Sequence, residues 1–483
     1  MLLVFTPESQ PTHEHVVGQQ GQEVPVNPGR PLVVRSDGPA GIGDDVRDGQ
    51  GLWEKVFSAQ NLSVALKRVE RNRGAAGVDG LGTGDLRGWL AEHWSVTRQA
   101  LDAGTYAPLP VRQVMIPKPD GGQRMLGVPS VLDRLIQQAV AQVLSPVFDP
   151  GFVAVSYGFR PGRSAHDAVQ VARTVISQGY RWVVEVDLDA FFDRVNHDVL
   201  MSRIVRKVKD KRLLKLIRRY LEAGIMADGV RRATEQGTPQ GSPLSPLLSN
   251  VMLDDFDQQF WDRGHRFVRY ADDIRIFVKS KRAAQRVLEQ AVKVLEGPLK
   301  LRVNREKSTI NPASVATLLG FGFYFTKAGV RIRIAPKALR RLKERLRELT
   351  SRRWSVSMEH RIGELNRFIR GWMGYFRLDE TPRKLKDLDE WFRRRMRQIR
   401  WKEWKKPRTR VTQLRRLGIR PDLAYQWGMS SRGYWRIAGS AILNRALPND
   451  YWTGQGLLLL HAAWERFQRP SEPPYARPAR TVV

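Results

Sequence analysis

Tyr270-Ala271-Asp272-Asp273 lies between two short β-rich runs, Arg266-Phe267-Val268-Arg269 and Ile274-Arg275-Ile276-Phe277-Val278, a spacing that predicts two adjacent carboxylates at a hairpin tip. Hard Asp oxygens on a rigid turn suit Mg2+, which prefers carboxylates, water and substrate phosphates to an all-protein cage. Asp-Asp is also ordinary turn chemistry, so the dipeptide alone leaves both readings open. A third acid narrows them. Residues 181–187, Arg-Trp-Val-Val-Glu-Val-Asp, read as a largely apolar, β-branched strand ending at Asp187, with Leu188-Asp189-Ala190-Phe191-Phe192-Asp193 after it. A carboxylate closing a buried strand needs a partner, and three carboxylates crowded together without cations would force one to protonate. Asp187, Asp272 and Asp273 therefore form a candidate two-metal triad. Such a site holds ions about 4 Å apart, one activating an attacking oxygen and one stabilising the leaving oxygen of an in-line phosphoryl displacement.

The elements that must position these acids are helical on both sides. Residues 1–50 carry 7 acids, 3 bases, 7 Gly and 6 Pro with no periodic apolar stripe, and are expected to be disordered. From Leu52 the pattern turns helical. Leu339, Leu342, Leu346 and Leu349 give one amphipathic stripe, and Ile362, Leu365, Phe368 and Trp372 another. Asp198 to Gly224, rich in Leu, Ile, Arg and Lys, reads as helices inserted after the acidic strand.

Charge identifies the kind of partner. The chain has 81 Lys plus Arg against 49 Asp plus Glu, a net +32, which is the footprint of a polyanion ligand. Residues 335–410 hold 25 of the bases and 10 acids, interleaved with apolar residues at helical spacing, so this charge sits on folded helices and not on tails. Trp391, Trp401 and Trp404 among those arginines could stack on bases, but helical aromatics are more often core. The absence of Cys excludes a disulfide framework, thiolate zinc sites and a Cys nucleophile. Leu2 to Phe5 is too short for a signal h-region and Leu457 to Leu460 far too short for a membrane span, so no membrane partner and a bacterial cytoplasmic location are expected.

Together these residues resemble the reverse transcriptases, most closely the reverse transcriptase/maturases encoded by bacterial group II introns, over roughly residues 52–466. Six blocks stand in that family's order. Asn61 to Gly80 is similar to the N-terminal extension and first block, Ile116 to Pro129 to the fingers hairpin, and Tyr157-Gly158-Phe159-Arg160-Pro161-Gly162-Arg163-Ser164 to the block before the acidic strand. Gly237-Thr238-Pro239-Gln240-Gly241-Ser242-Pro243-Leu244-Ser245-Pro246 is similar to the most recognisable palm signature, with Ser242 where the family often has Gly. Val303-Asn304-Arg305-Glu306-Lys307-Ser308 and Leu318-Leu319-Gly320-Phe321-Gly322-Phe323 complete the palm.

The resemblance implies an α+β right-hand polymerase: an N-terminal extension and fingers over 52–180, and a palm with an antiparallel sheet, fingers elements and inserted helices over 181–334. A helical thumb over 335–400, a small basic helical maturase/DNA-binding domain over 401–466 and a tail over 467–483 would follow. It implies RNA-templated DNA synthesis, with Asp187 and Asp272 bridging two Mg2+ ions, for which Mn2+ can substitute, and Asp273 supporting one of them. Lys118 and Arg124 flank the Gly121-Gly122 turn and would close on the triphosphate, Arg112 being a weaker candidate on the same arm. Phe192, or its neighbour Phe191, would lie beneath the incoming sugar and reject a 2′-hydroxyl, with Gln240 approaching from the opposite side. Lys307 would protonate the departing pyrophosphate, and Asp189 and Asp193 would be structural or close to the nucleotide.

The implied partners are group II intron RNA, an RNA template with a DNA or RNA primer, dNTPs and target DNA, with splicing and retrohoming of the intron as the wider role. With no Cys and only His461 beyond residue 400, no His/Cys endonuclease is expected. Two rivals stand beside this reading: a non-catalytic RNA-binding splicing factor, and a domesticated relative in DNA repair or phage defence.

Overall fold

The computed structural model describes residues 51–117, 121–227, 230–232, 236–238 and 241–468. The extension over 1–50 and most of the tail lie outside them, as do Lys118 and Gln240.

β1 (Val111–Pro117) and β2 (Gln123–Val128) pair antiparallel, Arg112 facing Val128 and Pro117 facing Gln123, which makes the expected fingers hairpin. Gly121 and Gly122 have φ of 90° and 79°, a region glycine enters freely because it has no Cβ. β3 (Trp182–Val186) is the apolar run before Asp187 and belongs to a different sheet. β4 (Ile225–Ala227) pairs parallel with β1, and β5 (Val230–Arg232) extends that first sheet to the order β2-β1-β4-β5.

The palm sheet adds β6 (Arg266–Tyr270), β7 (Asp273–Val278) and β8 (Thr309–Pro312) in the order β6-β7-β3-β8, antiparallel throughout. β3 is central, and Val183, Val184 and Val186 are all buried, which is why its sequence is an almost unbroken apolar run. A third sheet, β9 (Thr317–Leu318), β10 (Phe321–Thr326) and β11 (Gly329–Ile334), leads to the helical region.

Two helices hold the palm strands in place. Lys281–Glu296, N-capped by Ser280, turns Ala284, Val287, Ala291, Val292 and Leu295 onto β3 and β7. Ser245–Asp262 begins inside the Ser-Pro-Leu-Ser-Pro run, with Pro246 in its first turn, where a missing N–H costs nothing. Its Phe256 and Phe260 stack at 4.3 Å and meet Phe267 of β6 edge-on at 6.4 and 6.3 Å. Each ring so buried contributes about 1.5–3 kcal/mol.

The inserted helices are His197–Lys207 and Lys211–Glu222. The predicted amphipathic stripes fall on Pro336–Leu349 and Met358–Tyr375, followed by Pro382–Glu403. A domain boundary at 400 therefore falls inside the last turn of a helix. The C-terminal segment also folds back on these helices: Asn366 donates to Gly456 O and accepts from Leu458 N, and Asp389 accepts from the N–H groups of Leu460 and His461. Trp401 and Trp404, at 1% and 7% exposure, are core residues packed edge to face, so neither is a stacking platform; Trp391 is half-buried.

Candidate active site

β6 and β7 are joined by the two-residue turn Ala271-Asp272, with Tyr270 facing Asp273 across it and Ala271 at φ 57°. β3 pairs with β7 so that Val186 faces Ile274. Carried one residue further, that register sets Asp187 beside Asp273. All three acids thus stand at one end of the palm sheet, brought together across more than eighty residues of chain by a single antiparallel pairing.

Their electrostatics follow from that crowding. Burial pushes the Asp273 carboxyl up; Arg275 opposes the rise, while the negative charges of Asp272, Glu185 and Asp187 add to it. Arg275 forms an ion pair with Asp273 and lies 3.5 Å from Glu185. Among the described residues no group of three or more His, Asp or Glu side chains is placed to hold a metal ion. The donor set still fits Mg2+, whose sites need one or two carboxylates and are completed by water and substrate phosphates.

The Val303–Ser308 block braces the end of β3. Asp187 N–H donates to Ser308 Oγ at 3.1 Å, and Asn304 N–H donates to Asp187 O at 2.8 Å. Lys307 is exposed in this turn, its N–H bonded to Asn304 Oδ1. Asp189 is ion-paired with Arg194 at 3.3 Å and Arg302 at 3.7 Å.

Phe191 is buried and Phe192 only partly so, the two rings meeting edge-on at 5.1 Å. Phe192 is therefore the member of the pair available to a ligand. Thr238 N–H donates to Phe192 O at 2.6 Å and Gly237 N–H to Val195 O at 2.8 Å, so Gly237 and Thr238, which open the palm signature, lie against Phe192. Past Gln240, Gly241 has φ 116° and a Cβ there would meet Gly127 O at 3.0 Å, placing the block's far side against β2. Ser242 is buried and bonded to Gln137, which accommodates the hydroxyl where the resembled family often has Gly. In the fingers, Arg124 pairs with Ile116 through the backbone, its side chain lying outside the described atoms; Arg112 is half-buried, its Nε without a hydrogen-bond partner.

The motifs did not reveal what holds the acidic turn from below. Arg269 and Asp257 are both fully buried. Arg269 Nε donates to Asp257 at 2.8 and 2.9 Å, Nη2 donates to it at 2.5 Å, and Nη1 donates to Asn250 Oδ1 and to Ala271 O, both at 2.9 Å. Asn250 Nδ2 in turn donates to Gly158 O at 2.8 Å, and Tyr157 N–H to Arg269 O at 2.9 Å. A Cβ on Gly158 would lie 2.2 Å from Ala271 N, so the Tyr-Gly-Phe-Arg block fits directly under the turn. A sequence signal existed: Asp257 is in phase with Leu253 and Phe260 on one helix stripe, and an acid on a buried stripe needs a buried cation.

The family "reverse transcriptase (RNA-dependent DNA polymerase)" matches residues 116–323, and "group II intron, maturase-specific domain" matches 339–418. Protein YkfC of Escherichia coli K12 is 34% identical over 301 residues, covering 54% of this chain and 79% of that protein. The group II intron-encoded protein LtrA of Lactococcus lactis subsp. cremoris is 31% identical over 344 residues, 58% of this chain and 57% of LtrA, so the chain spans little more than half of that relative's length. Among solved structures, a chain of a partial Cas6-RT-Cas1–Cas2 complex is 30% identical over 50% of this chain and 41% of its own, with a TM-score of 0.33. No described helix is long and apolar enough to cross a membrane. An acidic turn on an antiparallel palm sheet, the sequence blocks around it and a maturase-specific helical region together assign the chain to the family of group II intron reverse transcriptase/maturases.

Proposed function

We propose that the protein is an RNA-directed DNA polymerase that also acts as maturase for a group II intron, with Asp187, Asp272 and Asp273 as its metal-binding acids. The observation that carries the site is the β3–β7 register, which puts the first acid beside the hairpin that bears the other two. Two Mg2+ ions, with Mn2+ as substitute, would be held by Asp187 and Asp272 together and by Asp273, and would supply charge neutralisation and a lowered pKa at the attacking hydroxyl.

The chain's own residues do the positioning. In the reaction the primer 3′-oxygen bonds to the α-phosphorus of a dNTP, the bond to the β-phosphate oxygen breaks, the hydroxyl proton is lost and pyrophosphate departs. Phe192, partly buried near the start of the Phe191–Arg194 helix, offers a flat apolar surface to the sugar, and a 2′-hydroxyl would collide with it. Gln240 approaches the nucleotide from the side opposite Phe192, and Gly241 allows close backbone approach. Lys118, Arg124 and, more weakly, Arg112 hold the triphosphate from the fingers hairpin, and Lys307 delivers a proton to the leaving pyrophosphate. The remaining partners are the intron RNA, an RNA template with its DNA or RNA primer, and target DNA, met in the bacterial cytoplasm.

Primer extension on an RNA template with dNTPs and Mg2+ tests the reading. Asp272→Ala is expected to abolish extension while RNA affinity stays within about twofold. Folded wild-type protein that yields no product would favour a purely RNA-binding splicing factor.

A further inference from the structure

A concavity of about 590 Å3 opens where the end of the Pro336–Leu349 helix and the turn after it meet Pro382–Glu403 and the short helix Tyr434–Ala438. Its wall carries Arg347, Arg352, Arg353, Arg395 and Lys402, and no acid. The acids nearest in sequence are engaged elsewhere: Glu348 pairs with Arg345 and Glu403 with Arg400.

Two of the five cations have structural work. Arg395 donates to Thr350 Oγ1 at 2.5 Å and to Arg347 O and Thr350 O at 3.1 and 3.2 Å, satisfying carbonyls at a helix end, and Lys402 donates to Arg352 O at 2.6 Å. The other three guanidinium groups are exposed and have no carboxylate within ion-pair distance among the described residues. Their charge is felt: after burial, Arg347 and Arg352 are what push the Arg395 guanidinium down. At the rim stands Trp435, 38% exposed, with the Arg394 guanidinium 4.1 Å from its ring centroid.

Uncompensated guanidinium groups in a concavity select phosphate, and an exposed indole beside them selects a base. The volume is that of a small-ligand site, about 300–1,000 Å3, which admits a splayed-out nucleotide and not a continuous double helix. We propose that this cavity takes an unpaired nucleotide of a looped or single-stranded polynucleotide, its phosphates on Arg347, Arg352 and Arg353 and its base against Trp435. The proposal rests on the maturase reading and specifies what its helical region grips.

The test uses full-length protein and three probes: an RNA hairpin with 2-aminopurine in its unpaired loop, the same hairpin as DNA, and a fully paired RNA duplex. Trp435→Ala is expected to weaken hairpin binding about tenfold and to abolish the quenching of loop 2-aminopurine, with duplex affinity unchanged. Trp435→Phe should restore both, and Arg352→Ala with Arg353→Ala should weaken the hairpin and flatten its salt dependence. The RNA and DNA arms identify which strand the cavity accepts. Equal losses on hairpin and duplex, or unaltered quenching in Trp435→Ala, would overturn the proposal. Extension of oligo(dT) on poly(rA) is run in parallel: its failure in the wild type counts against the polymerase reading and leaves the loop-binding result intact.

Discussion

Gly158→Ala is the sharpest probe of the acidic turn, because the added group is one methyl and its destination is known. A Cβ at 158 would sit 2.2 Å from Ala271 N, 2.9 Å from Tyr270 C and 3.0 Å from Ala271 Cα. Ordinary contact begins near 3.4 Å, so the two segments must part by about 1.2 Å. Neither side yields easily: Gly158 O is held by Asn250 and Tyr157 N–H by Arg269 O, while Ala271 O is held by the buried Arg269. Overpacking of this kind costs about 1–3 kcal/mol, and a displacement of about 1 Å at a reacting group can cost about a hundredfold in rate. Asp272 follows Ala271 directly, so it inherits the shift. Single-turnover extension at saturating dNTP should fall about a hundredfold, and a urea melt should report the stability loss separately. Gly84→Ala, where a Cβ meets nothing within 4 Å, is the matched control. A Gly158→Ala enzyme within threefold of wild type would refute the claim that this glycine sets the position of the turn.

Three other perturbations address different parts of the molecule. Phe192→Val should raise incorporation of ribonucleotides relative to deoxynucleotides, read as the ratio of their kcat/KM values, whereas Phe191→Val should mainly lower Tm because Phe191 is buried. Arg269→Met leaves Asp257 as a buried acid without its cation and should destabilise the fold by about 3–5 kcal/mol, measured by denaturant unfolding. Burial raises Asp389 to about 6, above its unfolded value, so its contribution to stability is fully present below about 4 and is lost as pH rises through about 6. The stability of wild type relative to Asp389→Asn should thus fall by up to about 3 kcal/mol between pH 4 and 7, and a flat difference would contradict the assignment.

The chemistry-bearing turn was legible because a hairpin is a local object: two β-rich runs and a two-residue connection are enough to place Asp272 and Asp273 at a tip. β3 was legible for a related reason, since a central strand covered on both faces must be apolar along its length, and Asp187 marks where that run ends. The stripes from Leu339 and Ile362 likewise located two helices from periodicity alone. Trp401 and Trp404 lie in the core, as helical aromatics more often do, yet the sequence left stacking open because an aromatic among arginines reads the same whether it lies in the core or on the surface. Only the packing of Pro382–Glu403 against its neighbours separates the two.

The amino-acid sequence by itself determined the polymerase blocks, their order and a nucleic-acid partner, and it nominated the three acids. Each of these is carried by residue type and short-range spacing. Tertiary structure alone decided that Asp187 lies beside Asp273, that Phe192 and not Phe191 is accessible, and that Arg269, Asp257, Asn250 and Gly158 hold the turn from beneath. It also decided that a cavity walled by five cations, three of them without a carboxylate partner among the described residues, lies beside Trp435. These are contacts between segments far apart in the chain, and their energies arise from burial, close packing and desolvated charge, none of which exists until the segments meet.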